Sequence, residues 1–265
     1  MSDRVRQWLV TGGAVFMIFG TLYGFGLIGT PVEQSSGGSL SAEATLLAPA
    51  VRAFSIWSVI YIGLIGYVVW QWLPANTASP RARRIGWLSA LSMALNGLWL
   101  LVVQVGALWV SVAVILALAV TLGELMRRLG DPGAGSAEKL LVDGTFGLYL
   151  GWVAVATLAN ITATLVASGV DPGGETAEYL AVAVLAAGAV LGAVLATVLG
   201  GRIGVAAGMA WGLSWIAVGR LTGQPASDLA GVAAGIAAVV VVVAAALVWL
   251  GRPARRPVAQ HVSHN

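Results

Sequence analysis

Residues 229 to 250 read Leu-Ala-Gly-Val-Ala-Ala-Gly-Ile-Ala-Ala-Val-Val-Val-Val-Val-Ala-Ala-Ala-Leu-Val-Trp-Leu, with no charged side chain between Leu229 and Leu250. A run of this kind is too apolar for water. At 1.5 Å rise per residue, roughly 20 apolar residues cross a hydrocarbon core of about 30 Å as a helix. The run lacks the alternation of a barrel strand, so a helix is implied over a strand. Working back along the chain, similar runs predict helices at about 8 to 28, 50 to 73, 85 to 104, 107 to 128, 142 to 167, 177 to 199 and 202 to 221, with the last at 227 to 250. The tightest divisions fall at Gln104-Val105-Gly106 and at Gly200-Gly201. The expected fold class is therefore all-α, a polytopic transmembrane bundle of about eight helices.

Composition agrees with this reading. Of 265 residues, 58% are hydrophobic and 9% charged, whereas a soluble domain carries roughly 25% charged residues. Arg4 and Arg6 precede a first run that is too long for a signal-peptide core, so it reads as an uncleaved first helix. Cytoplasmic loops collect the excess of Lys and Arg. With eight crossings, Arg4, Arg6, Arg81, Arg83, Arg84, Arg127, Arg128, Lys139, Arg202, Arg252, Arg255 and Arg256 share one side, and only Arg52 and Arg220 oppose them. Both termini are then expected in the cytoplasm of a bacterial or archaeal cell, the protein lying multi-pass in its plasma membrane. The opposite side has one substantial loop, Thr30 to Pro49, which reads as a flap or lid.

Several chemistries are excluded. There is no cysteine, so thiolate sites and disulfides are absent. The histidines, His261 and His264, lie in the tail, which rules out a histidine-held haem or metal within the membrane. The net charge of +3 sits beside membrane segments and does not read as a nucleic-acid surface. Lys139, the single lysine, falls in a loop on the basic side, so no retinal Schiff base can form at depth. Glu124 lies three and four residues before Arg127 and Arg128 and reads as a local ion pair. Arg52 and Arg220 sit at helix ends, where they are expected to snorkel to water. A proton-coupled pump or a charged ion filter is disfavoured, because ionisable groups at depth are the usual marks of both.

Tryptophan is in excess, at 11 residues. Trp8, Trp70, Trp72, Trp87, Trp109 and Trp249 fall near helix ends and read as interfacial anchors. Trp57, Trp99, Trp152, Trp211 and Trp215 lie deeper. Helical spacing places Trp57 with Tyr61, Asn96 with Trp99, Tyr149 with Trp152, and Trp211 with Trp215. Aromatic faces with a few amides suit a flat apolar ligand, and plain helix packing would use the same residues. Small residues spaced by four, at Gly20 and Gly24, Gly147 and Gly151, Gly188 and Gly192, Gly204 and Gly208, and Gly231 and Gly235, predict close helix contacts.

The stretches Phe54-Ser-Ile-Trp57-Ser-Val-Ile-Tyr61, Ala94-Leu-Asn96-Gly-Leu-Trp99, and Tyr149-Leu-Gly-Trp152 with Leu158-Ala-Asn160 resemble, in order and spacing, the tryptophan-rich sensory protein family, the TspO/MBR or translocator-protein group. The resemblance covers roughly residues 8 to 167. It implies a five-helix bundle that binds tetrapyrroles and, in animal members, sterols, with a pocket closed by the loop between the first two helices. It further implies that Trp57, Tyr61, Asn96, Trp99, Tyr149, Trp152 and Asn160 line or support that pocket. Compact members enter the second helix through Pro-Pro-Gly-Trp, but this chain has Ala48-Pro49-Ala50-Val51, so the gate tryptophan is missing at Val51. Asn160-Ile-Thr lacks the tyrosine and arginine of the animal sterol motif. The implied division is a five-helix TspO-like region over 1–168, three additional helices over 169–250, and a cytoplasmic tail over 251–265.

The expected function is a membrane sensor or carrier for a porphyrin-like or other flat apolar molecule. It needs no obligatory cofactor, and a tetrapyrrole is the candidate ligand. The lipid bilayer is the other partner, nucleic acid is excluded, and homodimer formation is left open. The rivals are a secondary transporter of a small apolar solute, against which stands the lack of a buried coupling charge, and an intramembrane tetrapyrrole-modifying enzyme. The latter would have to work with tryptophan and tyrosine alone.

Overall fold

The computed structural model describes residues 2–130 and 135–251. The expected tail, with Arg252, Arg255, Arg256, His261 and His264, lies outside the described residues. Among those described, every long element is a helix, and eight are long and apolar enough to cross a membrane. They are α1 (Asp3–Gly24), α2 (Val51–Trp72), α3 (Pro80–Gln104), α4 (Leu108–Leu129), α5 (Lys139–Ala167), α6 (Gly174–Leu199), α7 (Ile203–Thr222) and α8 (Asp228–Leu250).

The helix ends follow from local chemistry. The Ser2 hydroxyl accepts from the Val5 N–H at 3.3 Å, so α1 starts earlier than hydropathy alone predicts. Ser79 does the same for Ala82, and Pro80 occupies the first turn of α3, where its missing N–H costs nothing. Ser227 caps α8 through the Ala230 N–H at 3.1 Å. At its other end α1 stops at Gly24, short of the expected 28, because the chain turns through Gly26 and Gly29 at φ +69° and +81°. The two tight divisions are turns, as expected. Gly106 has φ +70°, and Gly200 closes α6 in the left-handed region. Gly201 has a second reason to be glycine, since a Cβ there would stand 2.6 Å from the Ala245 carbonyl oxygen.

Helices α1 to α5 form a closed ring. α1 packs on α2 and α3, α3 on α4, α4 on α5, and α5 returns to α2. Outside the ring α7 lies along α5, α8 along α7, and α6 along α8, so that α6 only grazes α5, the helix before it in sequence. Two seams are made by small residues. A Cβ on Gly20 would stand 2.8 Å from the Gly97 Cα, and one on Gly151 would stand 3.0 Å from the Gly208 Cα. The backbones of α1 and α3, and of α5 and α7, therefore approach too closely for side chains between them. Gly235 is the exception among the predicted small residues, with nothing near it. The outer surface is apolar, with Ile62, Val120 and Val239 all more than 60% exposed. That is what a helix facing lipid presents.

At the basic end the ring is tied by charge. Asp143, in a wide π-type turn over Lys139–Gly144, accepts from Arg81 Nη2 at 2.6 Å and from Arg202. Arg202 also reaches the Gly130 carbonyl at 2.8 Å. Glu124 pairs with Arg127 and Arg128, the local ion pair its spacing predicts.

Candidate functional site

At the other end, the segment between α1 and α2 covers the mouth of the ring. It is packed down, since Val32, Ser35, Thr45, Leu47 and Ala48 are all buried. α3 holds its first half: Ser36 Oγ donates to the Val103 carbonyl at 2.7 Å, and Gln104 Nε2 to that of Thr30 at 2.7 Å. α7 holds its second half. Arg220 donates to the carbonyls of Ala42 at 2.8 Å and Thr45 at 2.9 Å, as well as to that of Gln224 at 3.0 Å. The Ala50 N–H donates to the Trp215 carbonyl at 3.1 Å, and Trp211 Nε1 to that of Ala53 at 2.8 Å.

Arg220 thus corrects an expectation. It does not snorkel to water but is 1% exposed, because backbone carbonyls of the cover have replaced its hydration. Arg52 is exposed, as expected. Trp211 and Trp215 likewise serve the seam between α7 and the start of α2.

Under the cover lie two small adjacent hollows. The wider, about 190 Å³, is lined by Trp57, Tyr61, Phe25, Pro31, Glu33 and Leu100, and the narrower, about 50 Å³, by Trp152, Asn160, Leu40, Thr45 and Pro49. Val32, Phe54 and Trp99 belong to both and form the wall between them. The α2 turn that puts Trp57 over Tyr61 stacks the two rings 5.2 Å apart at 22°. Trp57 meets Tyr149 and Trp152 edge-on at 5.8 and 6.2 Å, and Phe54 meets Trp152 edge-on at 5.7 Å. The result is one continuous aromatic cluster across α2 and α5.

Amides hold this cluster in place. The Tyr61 hydroxyl donates to Asn96 Oδ1 at 3.1 Å, and Trp99 Nε1 to Asn160 Oδ1 at 3.0 Å. Asn160 Nδ2 donates in turn to Ser111 Oγ at 3.0 Å, and the Tyr149 hydroxyl donates to the Ser92 carbonyl at 3.2 Å. Within the cluster and its supporting amides, two buried donors have no hydrogen-bond partner among the described residues: Trp152 Nε1 and Asn96 Nδ2. Of the seven residues named from sequence, Trp57, Tyr61, Trp99, Trp152 and Asn160 touch the hollows, whereas Asn96 and Tyr149 stand behind them. Sequence reasoning missed Phe54 as the dividing wall and Ser111 as the support of Asn160. Phe54, three residues before Trp57, shares its helix face, and that signal was available. For Ser111 there was none. No group of His, Cys, Asp and Glu suited to a metal occurs among the described residues.

No curated protein and no solved structure matches the chain. The family model described as TSPO-like protein matches residues 7–247, a stretch that includes α6 and α7 and nearly all of α8. With the ring of five helices, its cover and its aromatic cluster in view, that match over most of the chain assigns it: the protein belongs to the TSPO-like family of integral membrane proteins.

Proposed function

We propose that the protein is a ligand-binding sensor or carrier that receives a flat, largely apolar molecule, of the tetrapyrrole class or similar, beneath the cover between α1 and α2. The carrying observation is the aromatic cluster of Phe54, Trp57, Tyr61 and Trp152, into which the unpaired indole N–H of Trp152 is set. Aromatic faces give stacking area, and a buried donor without a partner favours a ligand that brings an acceptor.

The hollows, about 190 and 50 Å³, are below the roughly 300–1,000 Å³ typical of ligand pockets. A tetrapyrrole therefore requires Phe54 to swing away and the cover to lift. In this reading both termini face the cytoplasm and the cover faces out. The test is titration of the purified protein with protoporphyrin and with a sterol, following tryptophan fluorescence. Saturable quenching by protoporphyrin that weakens in Trp152→Ala supports the reading. Quenching that is unchanged in that variant rejects it.

A further inference from the structure

Because α6 packs on α8 and only grazes α5, the cover-side ends of α5 and α6 diverge and leave a groove of about 740 Å³. Its walls are the last turns of α5 (Thr162, Leu165, Val166) and the first turns of α6 (Ala177, Ala181, Val184). Leu180, at its α6 edge, is 52% exposed, so the groove opens on the surface that faces lipid. The volume is within the range of small-molecule sites.

The groove and the narrower hollow share a wall. Asn160 and Ala163 line the hollow, and Thr162 and Val166, on the same turns of α5, line the groove. In the cover, Leu46 and Leu47 line the groove, Ala48 and Pro49 the hollow, and Thr45 both. At Thr45 the partition is therefore one residue thick. It is also lightly held. The Thr45 hydroxyl, although buried, has no hydrogen-bond partner among the described residues. Across residues 43–49, the bond from Arg220 to the Thr45 carbonyl at 2.9 Å is the one hydrogen bond to another part of the described chain. By contrast, α1 and α3 meet backbone to backbone at Gly20 and Gly97, which shuts that side of the ring. A flat apolar molecule collects in the bilayer, because water is a poor solvent for its surface.

We propose that the groove is a lateral portal through which the ligand passes between the cover-side leaflet and the hollows, with Thr45 to Leu47 as its gate and Arg220 as the latch. The passing molecule is that of the reading above, while the route follows from the shared wall alone. α6 supplies the outer wall and α7 the latch, so helices beyond the ring control access to a site within it. The chain has no cysteine, and single cysteines therefore report access to the hollow directly. Ala163→Cys places one in the hollow, and Gln34→Cys places a reference on the exposed cover. Each is treated, in the full chain in nanodiscs, with benzyl methanethiosulfonate, which dissolves in lipid, and with the trimethylammonium-ethyl reagent, which stays in water. Rates at Ala163→Cys are taken relative to the reference. The expected relative rate is at least fivefold higher for the benzyl reagent. Ala177→Trp or Val184→Trp, filling the groove, is expected to slow that rate at least fivefold, and Arg220→Ala to speed it at least threefold. Relative rates that are equal or favour the charged reagent, or indifference to both tryptophans, overturn the portal. So does the absence of any reaction, even with Arg220→Ala. Protoporphyrin tests the ligand reading separately. Labelling through the groove that protoporphyrin does not slow rejects the ligand and keeps the portal, whereas protection by protoporphyrin with labelling from water does the reverse.

Discussion

Trp152 has both a packing role and an unused polar atom, and two substitutions separate them. It is 1% exposed, with Phe54 and Trp57 against its ring. In Trp152→Ala, stacking worth about 0.5–1.5 kcal/mol beyond area loss disappears, so protoporphyrin affinity is expected to fall roughly two- to tenfold, with a lowered melting temperature. Trp152→Phe keeps a ring but removes the N–H. An unsatisfied buried donor costs about 1–3 kcal/mol, so this variant is expected to melt no lower than the parent while binding more weakly. Parallel falls in stability and affinity in both variants would argue for packing alone. Asn160→Leu strands the Trp99 indole N–H, whereas the Ser111 hydroxyl keeps its bond to the Leu108 carbonyl at 2.7 Å. A loss of about 1–3 kcal/mol for the one stranded donor is expected from thermal unfolding in detergent. At this scale the pairing of Trp57 with Tyr61 was legible, because positions four apart in a helix share a face. Its contacts with Tyr149 and Trp152 were not, because they join different helices.

The elements are held by close backbone approach and by bonds to the cover. On the α5–α7 seam, a side chain at Gly208 would enter the backbone of Leu148, Gly151 and Trp152. Gly208→Leu is expected to exceed the about 1–3 kcal/mol of ordinary overpacking, whereas Gly235→Leu, which meets nothing within 4 Å, is expected to be nearly silent. Comparing their melting temperatures checks the seam. Arg220 ties α7 to the cover through bonds of a kind that contribute about 1.5–3 kcal/mol each. Arg220→Ala is expected to speed amide exchange from Ala42 to Ala50 while leaving α3 and α4 protected. Unchanged exchange in that stretch would show that burial of Leu47 and Ala48 holds the cover by itself. The glycine spacing announced close packing, but spacing within a helix does not name the partner, so the facing of Gly147 and Gly151 with Gly204 and Gly208 was not legible.

For the whole molecule, the three helices beyond the ring form a chain of contacts: α7 bonds to the cover and to the start of α2, α8 packs along α7, and α6 packs along α8. A chain ended after Ser168 is expected to lose protease resistance between Leu40 and Ala53 first, which limited proteolysis of both lengths checks. Reporter fusions at Asn265 and near Gly37 are expected on opposite sides of the membrane, and the same side for both would reject the proposed orientation.

Solvent and chain geometry are local matters, and they were readable directly. Uncharged runs such as Leu229 to Leu250 read as helices in lipid because only helices and closed barrels satisfy the backbone there and the runs lack a barrel strand's alternation, and the clustering of arginines at alternate helix ends supports an even number of crossings. Which helix lies beside which is decided only in the folded molecule, because lipid and protein interior are equally apolar and hydropathy cannot distinguish them. For the same reason Arg220 read as a snorkelling end residue: only the cover, folded back from residues 42 to 45, brings the carbonyls that replace its water.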